Sequence, residues 1–294
     1  MSLRYVLVTP VKDEAAFIRE TLMSVKRQTH LPLRWVIVDD GSCDDTPRIL
    51  REHADDVPWL TVVSTGAKKR KLGSAEVLAF QRGLEHIDPA LQYDVVVKLD
   101  GDVRLPETYF ERVLERMAAA PDWGIVSGVY CEEKDGQWLP VPMPGYHAAG
   151  ASKVVRRQCF QDIDGFIARK GWDTVDEIRA GLHGWRTGHF EDIQFYHLKP
   201  EGQAMGRLST HRFHGEIYYQ TGGGLLFLLL KVAHRMMAGQ PRILGGMAML
   251  WGYAVSVLSN KDRLVNREEA QYYRSMLNRR LAAPVIKLIT SLNT

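Results

Sequence analysis

The first 130 residues alternate between short β-branched runs and longer segments with helical spacing, and this alternation constrains the fold most strongly. The runs are apolar at consecutive positions, as in Trp35–Val38, rather than at every second position. Strands that are apolar on both faces are typical of parallel sheets covered by helices on both sides. The pattern therefore predicts an α/β fold with a mostly parallel sheet and helices on both of its faces. The predicted strands are Tyr5–Thr9, Trp35–Val38, Leu60–Ser64, Val95–Leu99 and Ile125–Val129, and the predicted helices are Glu14–Gln28, Asp44–His53, Ser74–His86 and Pro106–Ala119.

Composition restricts the class of protein as well. Hydrophobic residues make up 45% of the 294 residues, and 38 basic against 35 acidic side chains leave a net charge of +3. These proportions indicate a folded globule, and the basic excess is too small for a dedicated nucleic-acid binder. Three widely separated cysteines predict neither a disulfide framework nor a zinc site. The sequence also lacks a signal-peptide core and an apolar run of about 18 residues, which favours a cytoplasmic location.

The pattern changes twice along the chain. Residues 136–150 are rich in proline and glycine, and a mixed region follows, with a helix near Thr174–His183 and a strand near Thr187–Phe190. After about residue 220 only helical spacing remains, and no stretch has the composition of a flexible tether. The sequence therefore predicts a main body over residues 1–220 and a C-terminal helical extension over residues 221–294. The three predicted helices of the extension are Gly224–Ala238, Pro241–Leu258 and Arg267–Ala282.

Acidic side chains gather where three of the predicted strands end. They are Asp13 and Glu14, Asp39 and Asp40, and Asp100 and Asp102. Ligands of doubly wound sheets bind at the carboxyl ends of the strands, and carboxylates collected there repel one another unless a cation or a hydrogen-bonding ligand is present. A hard cation such as Mg²⁺ or Mn²⁺ prefers one or two protein carboxylates together with phosphate oxygens. The segment Asp100-Gly101-Asp102 therefore predicts a metal site for a nucleotide diphosphate, with a plain surface turn as the alternative.

Four motifs in order resemble the family-2 glycosyltransferases with the GT-A fold. They are TPVKDE at residues 9–14, VDDGSCDDT at residues 38–46, the helix start Gly73-Ser74-Ala75, and KLDGD at residues 98–102. The resemblance runs from about Arg4 to His197. It implies a Rossmann-like GT-A catalytic domain in residues 1–220, with a nucleotide-binding part in residues 1–130 and an acceptor-binding part in residues 131–220.

The same resemblance implies the reaction. Members of this family are inverting transferases, so we expect a single sugar to move from a nucleotide-diphosphate donor to a hydroxyl of a glycan or lipid-linked acceptor. A UDP-sugar is the expected donor and Mg²⁺ or Mn²⁺ the expected cofactor, with polysaccharide biosynthesis as the expected context. The Gln-x-x-Arg-Trp motif of processive synthases is absent, which favours transfer of one sugar over polymer extrusion.

The resemblance also implies roles for individual residues. Donor-binding residues are expected at Pro10, Asp13, Glu14, Asp39, Asp40 and Asp100. Asp102 is the expected direct metal ligand, and His197 is expected to complete the metal shell, with His211 and His214 as the alternative histidines. Within the basic run at residues 68–71, Arg70 or Lys71 is expected to contact the diphosphate, unless the run is simply a solvated loop.

Inverting displacement also needs a base that takes the proton of the acceptor hydroxyl. Resemblance to the family's acidic stretch places Asp176 at the base position, where Val175 replaces the family's frequent glutamate. Asp173 and Glu177 remain the alternatives, although each also suits the first turn of a helix. Trp172 is expected either to stack on the acceptor sugar, with Asp173 beside it, or to pack in the core.

The C-terminal extension combines apolar segments with basic side chains. Basic side chains directly follow two apolar segments, Leu225–Leu230 and Ile243–Leu258. This arrangement suits an in-plane helix at an anionic membrane surface, which predicts peripheral contact with the inner face of the membrane. The alternative is a helical hairpin buried against the catalytic domain or in a homo-oligomer, with Gly245 and Gly246 allowing close helix approach.

Two other function classes fit the sequence less well. A sugar-phosphate nucleotidyltransferase should carry a glycine-rich phosphate loop after the first strand, where this chain has Pro10-Val11-Lys12-Asp13-Glu14. A catalytically inactive glycan-binding or scaffold protein is the other alternative, and the absence of turnover with any donor would identify it.

Overall fold

The structure is a computed structural model that describes residues 2–55, 57–66, 74–199, 206–238 and 241–292. It contains two compact units, Met1–Pro200 and Glu201–Thr294. The sequence pattern places the start of the helical part near residue 221, whereas the second unit also includes a helix over Arg207–Gln220. That segment reads RLSTHRFHGEIYYQ and has few apolar residues at helical intervals, so the pattern does not predict it.

Nine strands of the described residues form one sheet in the first unit. They are β1 (Tyr5–Val11), β2 (Arg34–Asp39), β3 (Leu60–Ser64), β4 (Val95–Leu99), β5 (Val103–Arg104), β6 (Trp123–Lys134), β7 (Gln137–Pro140), β8 (Ser152–Arg156) and β9 (Arg186–His197). Their order is β3-β2-β1-β4-β8-β6-β9-β5, with β7 paired to β6. The first four strands are parallel as predicted, but β8 lies antiparallel between β4 and β6. The α/β architecture is confirmed, and the sheet is mixed because β7 and β8 run antiparallel to their neighbours. Strand β7 falls within residues 136–150, which the pattern interprets as a loop, and β8 falls in the mixed region that follows.

Helices cover both faces of this sheet. They are α1 (Ile18–Lys26), α2 (Thr46–Ala54), α3 (Ala75–Leu84), α4 (Tyr109–Ala119), α5 (Arg157–Asp162) and α6 (Trp172–Leu182). Alternate residues of β1 show the arrangement, because Tyr5 and Leu7 are buried in one apolar cluster and Val6 and Val8 in another. The first cluster includes side chains of α1, α2 and α4, and the second includes side chains of α3, α5 and α6. Burial on both faces explains why the strands are apolar at consecutive positions.

The second unit is helical throughout the described residues. Its helices are α7 (Arg207–Gln220), α8 (Leu225–Ala238), α9 (Arg242–Leu258) and α10 (Arg267–Leu292). Helices α7 and α9 cross with their backbones touching, because a Cβ atom on Gly215 would overlap the carbonyl oxygen of Met249 and one on Gly252 would overlap that of Arg212. The glycines of α9 therefore serve close helix packing. Among the described residues, none of the helices combines the length and the apolar character needed to cross a bilayer.

Candidate active site

The carboxyl ends of β2, β1 and β4 lie side by side at one edge of the sheet. Val11 at the end of β1 is in register with Asp39 at the end of β2. On the other side of β1, Val8 is in register with Lys98, two residues before Asp100. The structure thus brings the three acidic strand ends to a common edge, where ligands of such sheets bind.

Asp13 and Asp39 organise the loops that follow the first two strands. The Asp13 Oδ1 atom accepts the Cys43 N–H at 2.7 Å, and the Asp13 N–H donates to the Ser42 hydroxyl oxygen at 2.9 Å. Asp39 is buried and accepts the Ser42 N–H through Oδ1 at 3.0 Å. The Asp13 contacts therefore hold the loop after β1 against the loop after β2, and the Asp39 carboxylate fixes the first turn of the loop after β2.

The same edge of the sheet carries two further acidic residues, Asp40 and Glu14, and Pro10. The Thr65 hydroxyl donates to Asp40 Oδ1 at 2.9 Å, which connects the ends of β2 and β3. Lys199 lies 3.0 Å from Glu14 Oε1, so the segment after β9 reaches the loop after β1. Pro10 is partly exposed near the end of β1. All three are placed at the edge where the donor is expected.

Asp100, Asp102 and His197 form a group that is able to hold a metal ion. Their ligand atoms all lie within 4.8 Å of one another, and His197 Nε2 lies 3.5 Å from Asp102 Oδ1. Strand pairing brings the histidine to this place, because Val103 is in register with His197 and the Leu198 N–H donates to the Asp102 carbonyl at 2.8 Å. Residues almost 100 positions apart in the chain therefore meet at one point.

The chemistry of this group fits a divalent cation. Two carboxylates and one imidazole suit Mg²⁺ or Mn²⁺, with open positions for phosphate oxygens. The glycine between the two aspartates is required by packing, because a Cβ atom on Gly101 would lie 2.6 Å from Val11 Cγ1. The chain can therefore turn tightly against β1 and direct both carboxylates to the same side.

Lys98 is a buried cation directly behind this group. Its ammonium lies 2.5 Å from Asp100 Oδ1, forms an ion pair with Glu76 and donates to the Gly150 carbonyl at 2.9 Å. Burial raises the pKa of the Asp100 carboxyl, and Lys98 opposes that rise. Lys98 therefore helps to keep Asp100 ionised and in a fixed orientation.

Trp172 lies against Lys98 and a second buried lysine, Lys153. The two lysines are in register on β4 and β8, and their ammonium groups lie 5.2 Å and 4.9 Å from the centre of the indole ring. The indole is 7% exposed and packs on Phe166 at a ring distance of 4.8 Å. These contacts favour core packing over sugar stacking for Trp172.

Asp176 is an interior residue of this site. Its carboxylate oxygens lie 2.7 Å and 3.0 Å from Lys153 Nζ, and the residue is 2% exposed. Burial raises the pKa of the Asp176 carboxyl, and the adjacent ammonium opposes the rise. A buried, ion-paired carboxylate has no direct access to an acceptor hydroxyl, which argues against its predicted role as the base.

Glu177 is also buried and holds the loop before β8. It accepts the Ala148 N–H at 2.8 Å and lies 2.9 Å from His147 Nδ1. Asp173, by contrast, is partly exposed in the first turn of α6, and its carbonyl oxygen accepts a hydrogen bond from Lys153 at 2.9 Å. Of these three acidic residues of α6, only Asp173 reaches solvent to a substantial extent.

Sequence reasoning misses the two buried lysines, Lys98 and Lys153. A signal was present, because each stands beside valines or leucine of a short strand, in VVVKL and SKVVR. A lysine in such a run is rarely buried unless a carboxylate pairs with it. The predicted diphosphate contacts Arg70 and Lys71 lie outside the described residues.

Replacing Lys153 by Met is expected to lower the free energy of unfolding by about 3 to 5 kcal/mol, because Asp176 would be left as an uncompensated buried charge. Chemical denaturation measures the change. The double variant Lys153→Met with Asp176→Leu is expected to recover most of the loss, since it removes both charges. A loss below about 1 kcal/mol in the single variant would contradict the structural role assigned to this pair.

The chain is similar in sequence to a known protein family. The model of glycosyl transferase family 2 matches residues 6–169, which is more than half of the chain. The chain belongs to glycosyl transferase family 2. A curated relative, the beta-monoglucosyldiacylglycerol synthase of Synechocystis sp. (strain ATCC 27184 / PCC 6803 / Kazusa), is 29% identical over 175 residues. That match covers 52% of this chain and 34% of the relative, so the chain accounts for about a third of the relative's length.

Solved structures of glycosyltransferases share the fold. Mannosyltransferase PcManGT from Pyrobaculum calidifontis, in complex with GDP-Man and Mn²⁺, matches with a TM-score of 0.61 and 18% identity, over 96% of this chain and 81% of that chain. S. aureus TarS 1–349 in complex with UDP-GlcNAc matches with a TM-score of 0.53 and 16% identity, over 92% and 78% of the two chains. The predicted GT-A-like fold with a C-terminal helical region is confirmed.

Proposed function

We propose that this family-2 glycosyltransferase is an inverting enzyme that moves a single sugar from a nucleotide-diphosphate donor, with UDP as the nucleotide, to a hydroxyl of a glycan or lipid-linked acceptor. The observation that carries the proposal is the meeting of Asp100, Asp102 and His197 beside the acidic ends of β1 and β2. Carboxylates at these positions match the chemistry of a metal-bound diphosphate flanked by a nucleoside.

The nucleoside is assigned to the ends of β1 and β2. Asp39 and Asp40 are acceptors, and a uracil N–H and ribose hydroxyls are donors. Each aspartate uses one carboxylate oxygen within the protein. Asp40 is partly exposed whereas Asp39 is buried, so the second oxygen of Asp40 is more accessible to a ligand than that of Asp39. The structural neighbours support a nucleotide sugar as donor, since their solved complexes contain GDP-Man and UDP-GlcNAc.

The diphosphate is assigned to the metal group. A Mg²⁺ or Mn²⁺ ion, when bound, neutralises the charge that develops on the departing diphosphate. Asp102 and His197 would hold it, and Asp100 would contribute either to the ion or to the donor sugar. Lys98 fixes Asp100 from behind through the 2.5 Å ion pair. The Mn²⁺ in the mannosyltransferase complex supports this assignment.

The general base of the proposed reaction is Asp173. It is the partly exposed carboxylate at the start of α6, whereas Asp176 and Glu177 are buried and engaged with Lys153 and His147. A base must come within hydrogen-bond reach of the acceptor hydroxyl, and access therefore decides between them. The two buried acids instead hold the first turns of α6 so that Asp173 keeps its position.

The acceptor class is supported by the curated relative. The curated relative is named as a synthase of a glucosylated diacylglycerol, which is consistent with a lipid hydroxyl as acceptor. Because this chain spans about a third of that protein, the activity of the whole relative is carried over only as part of the proposal.

A thermal-shift screen tests the donor assignment. UDP-sugars are expected to raise the melting temperature by about 5 °C or more at roughly 100 times their dissociation constant, and only when Mn²⁺ or Mg²⁺ is present. GDP-, TDP- and CDP-sugars serve as controls for the base. Stabilisation by GDP-sugars alone would overturn the choice of UDP, and equal stabilisation without metal would overturn the metal assignment.

The identity of the released product distinguishes sugar transfer from nucleotidyl transfer. Sugar transfer releases a nucleoside diphosphate, whereas a nucleotidyltransferase acting in its synthetic direction releases pyrophosphate. Mass spectrometry of the reaction mixture is expected to show UDP. Pyrophosphate as the product would overturn the proposed function.

A further inference from the structure

Helix α9 has two different faces. One face carries Gly245, Gly246, Met249, Gly252 and Ser256, which are buried. Gly245 contacts His211, Gly246 contacts Met236, and Gly252 contacts the backbone of Arg212, so this face packs inside the helical unit. The small residues are thus fully explained by helix packing.

The opposite face of α9 is large, apolar and exposed. It carries Ile243, Leu244, Met247, Trp251, Val257 and Leu258, and the exposed fractions reach 60% at Trp251 and 83% at Leu258. The 17 residues of α9 extend over about 25 Å, so the apolar stripe is long. Isolated apolar side chains are ordinary on a surface, but a continuous stripe of this size marks an interaction site.

The neighbouring helix α8 exposes leucines as well. Leu225, Leu226, Leu229 and Leu230 are all about half exposed or more, while Leu228 and Val232 of the same helix are buried. Residues four positions apart lie on the same side of a helix, as Leu225 and Leu229 do, and Leu226 and Leu230 form the neighbouring row. Both helices of this pair therefore keep one apolar side within the unit and present the other to the surroundings.

The charge of this segment indicates its partner. Residues 217–261 contain no aspartate or glutamate, but they include Lys231, Arg235, Arg242 and Lys261. Lys261 is paired with Glu216 at 2.7 Å, and Arg235 Nη1 lies 3.0 Å from His211 Nδ1. The cations that remain beside the apolar stripes are the exposed Arg242 and Lys231, whose ammonium lies 5.6 Å from the centre of the Tyr218 ring. Apolar side chains combined with basic ones and no acidic ones are the chemistry that binds anionic lipid headgroups.

We infer that the exposed sides of α8 and α9 dock this protein on an anionic bilayer surface, with the two helices lying in the plane of the interface. A second copy of the chain is a poorer partner. In a two-fold symmetric interface the same patch meets itself, so the cations would face cations with no acidic residue of this segment to balance them. The inference goes beyond the proposed transferase reaction and does not depend on it.

Vesicle co-sedimentation of the full chain, without donor or metal, tests the inference. We expect binding to phosphatidylcholine vesicles that contain about one third phosphatidylglycerol, and binding at least about fivefold weaker to pure phosphatidylcholine. High salt is expected to weaken binding because it screens the headgroup charge. Equal binding to both vesicle types would overturn the electrostatic part of the inference.

A pair of matched double variants tests the surface. Leu244→Ser with Leu258→Ser is expected to reduce vesicle binding by about tenfold or more, because two inserted side chains are lost. Leu31→Ser with Leu139→Ser removes two exposed leucines from the first unit and is expected to leave binding unchanged. Circular dichroism confirms that both variants remain folded, which exposed positions allow.

Two further measurements test the membrane inference: the effect of removing one cation, and the oligomeric state of the chain. Arg242→Gln is expected to reduce binding to anionic vesicles by about fivefold, whereas the exposed Arg27→Gln in α1's C-terminal cap is expected to have no effect. Analytical ultracentrifugation measures whether the chain self-associates through the same surface, which is the competing explanation. Absence of vesicle binding, together with a dimer that the Leu244→Ser and Leu258→Ser changes dissociate, would overturn the inference in favour of self-association.

Discussion

Replacing Asp102 by Asn is expected to lower kcat/KM by about 10³-fold, because the change removes the charge of the residue that we assign as the direct metal ligand. A loss of this size corresponds to about 4 kcal/mol of transition-state stabilisation, the scale expected when the charge on a departing diphosphate is no longer neutralised. The amide is nearly isosteric with the carboxylate, so the fold should be unaffected. Steady-state kinetics with a saturating metal concentration measures the effect, and titration with Mn²⁺ should show weaker metal binding.

The matched control is Asp55→Asn. Asp55 is an exposed aspartate after α2, so the same chemical change is made away from the site. This variant is expected to keep full activity and metal affinity. If Asp102→Asn retained wild-type turnover with unchanged metal dependence, the group formed by Asp100, Asp102 and His197 would have no part in the reaction.

Replacing Asp173 by Asn is expected to lower kcat by about 10² to 10⁴, the usual contribution of a general base, with little change in donor binding or stability. Replacing Asp176 by Asn is expected to act differently, because Asp176 is buried on Lys153 and the variant leaves that ammonium without its closest counter-charge. The loss in the free energy of unfolding is expected to be about 3 kcal/mol. Kinetics, donor thermal shift and chemical denaturation on both variants give the comparison.

The two variants control one another, since each makes the same Asp to Asn change within α6. The decisive comparison is whether Asp173→Asn loses turnover while it keeps its stability, and whether Asp176→Asn loses stability. If Asp176→Asn were as stable as the wild type yet as inactive as Asp173→Asn is expected to be, Asp176 would be the base and the assignment of Asp173 would be wrong.

Much of the α/β architecture is readable from local patterns. Strand β4 begins and ends where the β-branched run predicts, because it lies inside the sheet and all of its positions are buried. Strand β3 also has the predicted bounds, although it lies at the edge of the sheet and only Leu60 is fully buried. Helices α8 and α9 likewise follow their apolar segments. Helix α7 and strand β8 escape prediction because their stability comes from packing against partners, α9 in one case and β4 and β6 in the other.

The acidic strand ends are also predictable, since parallel neighbours must place their carboxyl ends at the same edge. The buried lysines behind them are not, because periodicity says that a strand is buried but not which charges it pairs. The choice between Asp173 and Asp176 shows the limit most clearly. Three residues apart on one helix, they have the same chemistry in the sequence and opposite surroundings in the fold.

The amino-acid sequence alone determined that this chain is an α/β protein whose acidic side chains follow its strands, since runs that are apolar at consecutive positions and alternate with helices indicate a sheet covered on both faces. Only the tertiary structure decided that His197 meets Asp100 and Asp102, that Asp176 belongs to the interior, and that the glycines of α9 are covered while its large apolar side chains are not. The physical reason is that access, pairing and desolvation belong to contacts between distant segments, which no local pattern specifies.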